Sequence, residues 1–190
     1  MNIHQLWLCL ALIIAQPIWA NGEFTITQAT TVLKDDEYRL NVQVKYAFSD
    51  IVLEALDNGV PLTMQMRIQV RHDHAWIWED SLVDKIITFT VRYQPLTELY
   101  TVDRSHTEHG NDLYGSKQSF VTRAAAISAL GEIEDLPLLK HNWLQINKRY
   151  FVHINVALDL ESLPLPLRPL AHLTPSWNLG SGWTKWQLTP

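Results

Sequence analysis

The sequence predicts a mostly β protein, an antiparallel sandwich with two short helices in its connections; immunoglobulin-like layering is one form of it. Three observations predict this. Several stretches of about ten residues alternate strictly between apolar and polar side chains, the signature of a strand with one wet face. Turn-forming residues separate them at short intervals. Only two stretches carry helix signals, and both are short.

The chain has 190 residues, of which 47% are hydrophobic and 18% charged. That is a one-domain length with material for a full core, and not the composition of a disordered chain. The net charge is −5 and the pI about 5.9. Such a balance repels a polyanion, so nucleic acid is excluded as a natural partner. The scattered basic residues form no cluster suited to an anionic membrane surface.

The first twenty residues read as a cleavable signal peptide. Leu6 to Ala15 is an unbroken apolar run, the length of a signal's hydrophobic region and about half of what spans a membrane. Pro17 breaks it, and Ala20 offers a small residue at the cut. The segment before the run holds no Lys or Arg; the alternative is an uncleaved anchor. The expected mature domain, 21–190, is therefore a single β-sandwich in the periplasm or secreted. Cys9, the only cysteine, leaves with the signal, so the domain has no disulfide and its stability comes from the core.

Within the domain, 24–33 is rich in Thr and Ile and reads as the first strand. Residues 34–37 form a polar turn. Tyr38, Leu40, Val42, Val44 and Tyr46 point one way from the second strand. Ser49 is a helix cap, with Asp50 at the positive end of the dipole and Gly59 just past the C-terminus. Residues 62–71 alternate again, with Thr63, Gln65, Arg67, Gln69 and Arg71 outward. Strands over 84–93 and 98–103 complete a meander. The polar stretch 104–116, with Gly110 and Gly115, reads as a loop. Four alanines predict a helix over 119–130, ended by Gly131. Glu132, Glu134 and Asp135 read as a wet turn, 136–139 as an extended segment, and 147–160 as the longest late strand. Prolines at 164, 166, 169 and 175 predict an extended strap, followed by a tail with Trp177, Trp183 and Trp186.

This order resembles the DUF4390 family of exported proteobacterial proteins of unknown function. The resemblance is carried by the segment Ala126-Ile127-Ser128-Ala129-Leu130-Gly131, by Tyr150-Phe151-Val152, by Leu158-Asp159-Leu160-Glu161-Ser162-Leu163-Pro164, and by 177–186 with its three tryptophans. It covers nearly all of the expected mature chain. It implies no assigned activity and no cofactor. It implies a bacterial envelope setting, with an envelope protein or a membrane sensor kinase as partner.

No catalytic motif is present. There is no Gly-x-Ser-x-Gly elbow, no His-Glu-x-x-His and no phosphate loop. Ser105 beside His106 lacks a third group to orient the imidazole. The aromatic residues are the stronger lead. Six of eight tryptophans remain after the signal. Trp76 and Trp78 are spaced to share a strand face, and Trp183 and Trp186 lie close in sequence. Exposed aromatics suit protein and glycan interfaces; the plainer reading is that they close the ends of the sandwich. The first expectation is therefore a non-catalytic binding or accessory module using Trp76, Trp78, Trp183 and Trp186. The alternative is a metal-dependent enzyme or metal carrier. His72 and His74, two apart on a strand, would present both rings to one ion, and His106 with His109 forms a second cluster.

Overall fold

The computed structural model describes residues 23–73, 81–108, 111–145 and 147–189; the side chains of 106–108 and 111–114 lie outside that description. Among the described residues, nine strands form two antiparallel sheets. The strands are β1 (Phe24–Lys34), β2 (Glu37–Tyr46), β3 (Leu62–His72), β4 (Val83–Gln94), β5 (Leu99–Glu108), β6 (Asn111–Phe120), β7 (Glu132–Lys140), β8 (Tyr150–Leu158) and β9 (Gly180–Gln187). The small sheet has the order β1-β2-β7 and the large one β6-β5-β4-β3-β8-β9. Three short α-helices among the described residues, α1 (Asp50–Asp57), α2 (Arg123–Leu130) and α3 (Arg168–Leu173), sit in the connections. The mostly β sandwich that the alternation predicts is the fold observed.

Alternation explains which face each strand buries. Tyr38, Leu40, Val42, Val44 and Tyr46 of β2 are buried, as are Leu62, Met64, Met66, Ile68 and Val70 of β3. Ile87, Phe89 and Val91 of β4 and Val152, Ile154 and Val156 of β8 join them in one hydrophobic cluster between the sheets. Full burial of each such aliphatic side chain contributes roughly 1.5–3 kcal/mol.

The β1–β2 hairpin turns on Asp35 and Asp36, both with positive φ (52° and 62°). That is the two-residue turn whose twist matches its strands. Ser49 caps α1, its Oγ accepting from the Val52 amide, and itself donates to the Ser176 carbonyl. At the other end Gly59 N–H donates to Leu56 O and Val60 N–H to Ala55 O, with Gly59 at φ 85°. This is a Schellman closure, for which glycine is the least strained residue. Eight residues do not hold a helix alone; burial of Val52 and Leu56 anchors it.

Four expectations are corrected. The stretch 104–116 is not a loop: β5 runs on to Glu108 and β6 returns from Asn111, pairing Arg104 with Ser116 and Tyr100 with Phe120. Residues 115–119 of β6 are all exposed, so neither face carries an apolar signal. The second helix begins at Arg123, not 119, because Ser119 and Phe120 still pair in β6 and Thr122 is the cap. Glu132, Glu134 and Asp135 belong to β7. Asp135 takes a positive φ at an irregularity in the pairing and its amide donates to Asn41 Oδ1. The segment 163–175 is not extended throughout. It holds α3, with Pro169 in the first turn, where proline removes no helical hydrogen bond. In the tail, Trp177 ends a single 3-10 turn, and Trp183 and Trp186 belong to β9, paired to β8.

Candidate binding face

The outer face of the large sheet is built by register. Residues directly opposite in antiparallel strands share a face. One row across β9, β8, β3 and β4 is Trp183, Asn155, Arg67, Ile86. The next is Lys185, His153, Gln69, Asp84, and the one on the other side holds Ala157, Gln65 and Thr88. Apart from Ile86 and Ala157 these are polar partners of the buried alternation, and Trp183 stands among them 52% exposed.

The face is held in place by its own pairs. Asp84 accepts from Gln69 Nε2 at 2.8 Å and faces Arg67 Nε at 3.5 Å. Asp159 accepts from Gln65 Nε2 at 2.9 Å. Asp73 accepts from Lys185 Nζ at 3.1 Å and from Arg149 Nη2 at 2.8 Å. Lys185 also lies over the Phe151 ring, 3.8 Å from its centroid. Burial holds the His153 imidazole below its ordinary pKa, and the charges of Lys185 and Arg71 push the same way. His153 is therefore a neutral hydrogen-bonding ring at pH 7.

Of the aromatic candidates, Trp183 is on this face. Trp186 pairs in register with Val152, so it points inward; it packs against the core and donates from Nε1 to Thr184 Oγ1 at 2.9 Å. Three residues along a strand reverse the face, so Trp183 and Trp186 of β9 do not form one rim. Trp76 and Trp78 lie outside the described residues. Trp143 is 56% exposed in the turn after β7, and Trp177 is buried.

The two histidine candidates that are described, His72 and His106, lie apart. His72 ends β3 opposite Tyr150 on the inner side, with Nδ1 2.8 Å from the Asp73 carbonyl oxygen. His74 and His109 lie outside the described residues. His106 is in β5 opposite Ile87, which pairs with Met66. Its strand position is thus six residues from His72 along the sheet, about 20 Å at 3.3 Å per residue. Among the described residues no group of three or more His, Cys, Asp or Glu side chains converges to hold a metal. The glycine-flanked Ser181 is engaged: its Oγ accepts from Val156 N and donates to Gly182 O.

Two surface clefts lie elsewhere. One, about 370 Å³, opens at the end of the sandwich between Tyr38, His141, Lys148 and Tyr150. The other, about 470 Å³, runs between β2 and α2 beside Lys45 and Ile127.

A family model for a domain of unknown function, DUF4390, matches residues 21–187. The chain belongs to the DUF4390 family. Neither the curated proteins nor the solved structures provide a match. Among the described residues of this DUF4390 domain, no helix is long and apolar enough to cross a membrane.

The sequence singled out Trp183 but not Asn155, Gln65, Gln69 and Arg67 as its companions. Their outward positions were readable from alternation. Which strands lie side by side was not, because β3 is joined to β8 across some eighty residues of chain.

Proposed function

We propose that this chain is a non-catalytic binding module of the bacterial envelope, exported by its first twenty residues and acting outside the cytoplasmic membrane. Its binding surface is the outer face of the large sheet, centred on Trp183. The observation that carries this is the exposure of a large aromatic ring on a sheet face of mostly polar side chains, several of them held by neighbours. An indole left in water on a rigid sheet is an anchor without its pocket: such residues supply much of the binding energy of interfaces. The accessory role beside a membrane sensor kinase, which the family resemblance implies, belongs to the same proposal.

Immobilised mature domain, challenged with solubilised envelope extract, tests the reading. The expected result is selective retention of an envelope component by the wild type, with sharply less on Trp183→Ala. A sensor kinase, or any other component, retained equally by both proteins would use another surface and would overturn the assignment to the Trp183 face. Stoichiometric transition metal in the purified domain, lost on changing His72 and His74, would overturn the proposal in favour of a metal enzyme or carrier.

A further inference from the structure

We infer that the cleft of about 370 Å³ at the end of the sandwich binds a small phosphate monoester. This site is apart from the Trp183 face and does not rest on that reading. Its charge selects an anion. Lys148 and Arg149 line the cleft, and no Asp or Glu among the described residues does. The Lys148 ammonium is in no ion pair among the described residues. Arg149 and Lys185 share the single carboxylate of Asp73, at 2.8 and 3.1 Å, so one negative charge serves two cations. In the neighbouring β1–β2 turn, Glu37 is held by Arg39 at 2.9 Å. Asp36 meets the cleft wall through its backbone carbonyl, which accepts from the His141 amide at 2.8 Å. Neither carboxylate lines the cleft.

The cleft also offers uncharged donors, and they come from separate segments. Tyr38 and Tyr150 are both more than nine-tenths buried, and each hydroxyl touches another residue of the lining. Tyr150 Oη accepts from the Gln145 amide at 3.2 Å, which leaves its own proton for a ligand. Tyr38 Oη lies 3.3 Å from His141 Nδ1. If the phenol donates, the second imidazole nitrogen carries a proton; if the imidazole donates, the phenol proton is free. Either way one donor remains. The loop carrying the cations is shaped by its own backbone: the Lys148 amide donates to the Gln145 carbonyl at 3.2 Å, with Asn147 at φ 83° between them. A carboxylate is served by a planar pair of donors such as one guanidinium supplies. The three oxygens of a phosphate group accept from several directions at once. That matches donors arriving from Tyr38 and His141, from Lys148 and Arg149, and from Tyr150. Two cations match the charge of about −1.5 to −2 on a phosphate monoester at pH 7. Leu144 and Leu188, in the same lining, pack against the core and give the organic part of the ester an apolar wall.

Calorimetric titration of the mature domain with phenyl phosphate, glycerol 3-phosphate, inorganic phosphate and benzoate tests this. At least one of the two esters is expected to bind with a Kd below about 1 mM. Inorganic phosphate, which lacks the organic part, and benzoate, which lacks the third oxygen, should each bind at least about tenfold more weakly. Raising NaCl from about 50 to 500 mM should weaken the ester several-fold, because its charge is paired at an exposed site. Lys148→Gln, at an exposed position with no ion pair to lose, should weaken it at least about tenfold. Tyr150→Phe removes one donor and should weaken it several-fold. Lys140→Gln, an exposed cation outside the lining, should leave it unchanged. Lys148→Gln carries the test if Tyr150→Phe fails to fold by circular dichroism. Binding of neither ester, benzoate or inorganic phosphate binding as tightly as the esters, wild-type affinity in Lys148→Gln, or equal weakening by Lys148→Gln and Lys140→Gln would overturn the inference.

Discussion

Tyr46 carries a buried hydroxyl with no hydrogen-bond partner among the described residues. Its ring lies edge-on to Phe24 and stacked with Phe48, and burial raises its pKa far above the ordinary phenol, against a smaller opposing pull from Arg104. An unsatisfied buried polar atom costs free energy that an apolar isostere does not. Tyr46→Phe should therefore be neutral or stabilising by up to about 1 kcal/mol in urea unfolding; a loss larger than that would show a partner for the hydroxyl. His153 makes the opposite kind of statement. Its folded-state pKa lies below the ordinary 6.5, so the unfolded chain binds this proton more readily than the native state. The stability gained from the neutral ring is complete above about pH 6.5 and is lost as pH falls through the folded value. The urea midpoint of the wild type should decline between about pH 7 and pH 5 more steeply than that of His153→Gln. Parallel declines would contradict this. Nothing in the sequence distinguished His153 from His141 or His172; its shift comes first from burial, with the charges of Lys185 and Arg71, brought near by the register of β8 with β9 and β3, adding to it.

Elements were legible wherever one face is wet and the other buried. The strands β2, β3 and β8 fall close to where alternation puts them, and Ser49 and Gly59 bound α1 as cap chemistry requires. Legibility failed where both faces are wet or where turn residues sit inside a strand. β6 has five consecutive exposed residues and a glycine; Gly180 and Gly182 interrupt β9, with Gly182 at φ 63°. Pro169 misled in the same way, since it starts a helix turn; Pro137 did not, since it sits in β7, an edge strand that tolerates a missing donor, where the extended reading of 136–139 places it. Gly131 has a tertiary reason that sequence does not display. Its carbonyl accepts from Val44 N at 2.8 Å, and a Cβ there would drive into the Val44 carbonyl oxygen. Gly131→Ala should cost about 1–3 kcal/mol by forcing α2 off β2, measured by chemical unfolding. An unchanged midpoint would show that the helix yields freely.

Trp183, Lys185, Arg67 and Gln65 are exposed on the outer side of the large sheet among the described residues, and the two sheets are joined at their margins. Lys85 reaches the Pro137 carbonyl and Arg104 the Glu132 carbonyl, tying β4 and β5 to β7. Thr31 and the Thr189 backbone exchange two hydrogen bonds at the other margin, which closes β1 against the end of β9. The strand order that assembles the Trp183 face depends on these non-local pairings, and no local pattern announces them. The most direct test compares retention of envelope material on columns of wild type, Trp183→Ala and Trp143→Ala. Both tryptophans are more than half exposed, but only Trp183 stands on the open sheet face. Loss of at least about tenfold in retention with Trp183→Ala, and wild-type retention with Trp143→Ala, is the predicted result. Equal retention by all three proteins, or equal loss in both variants, would contradict the assignment of the binding surface.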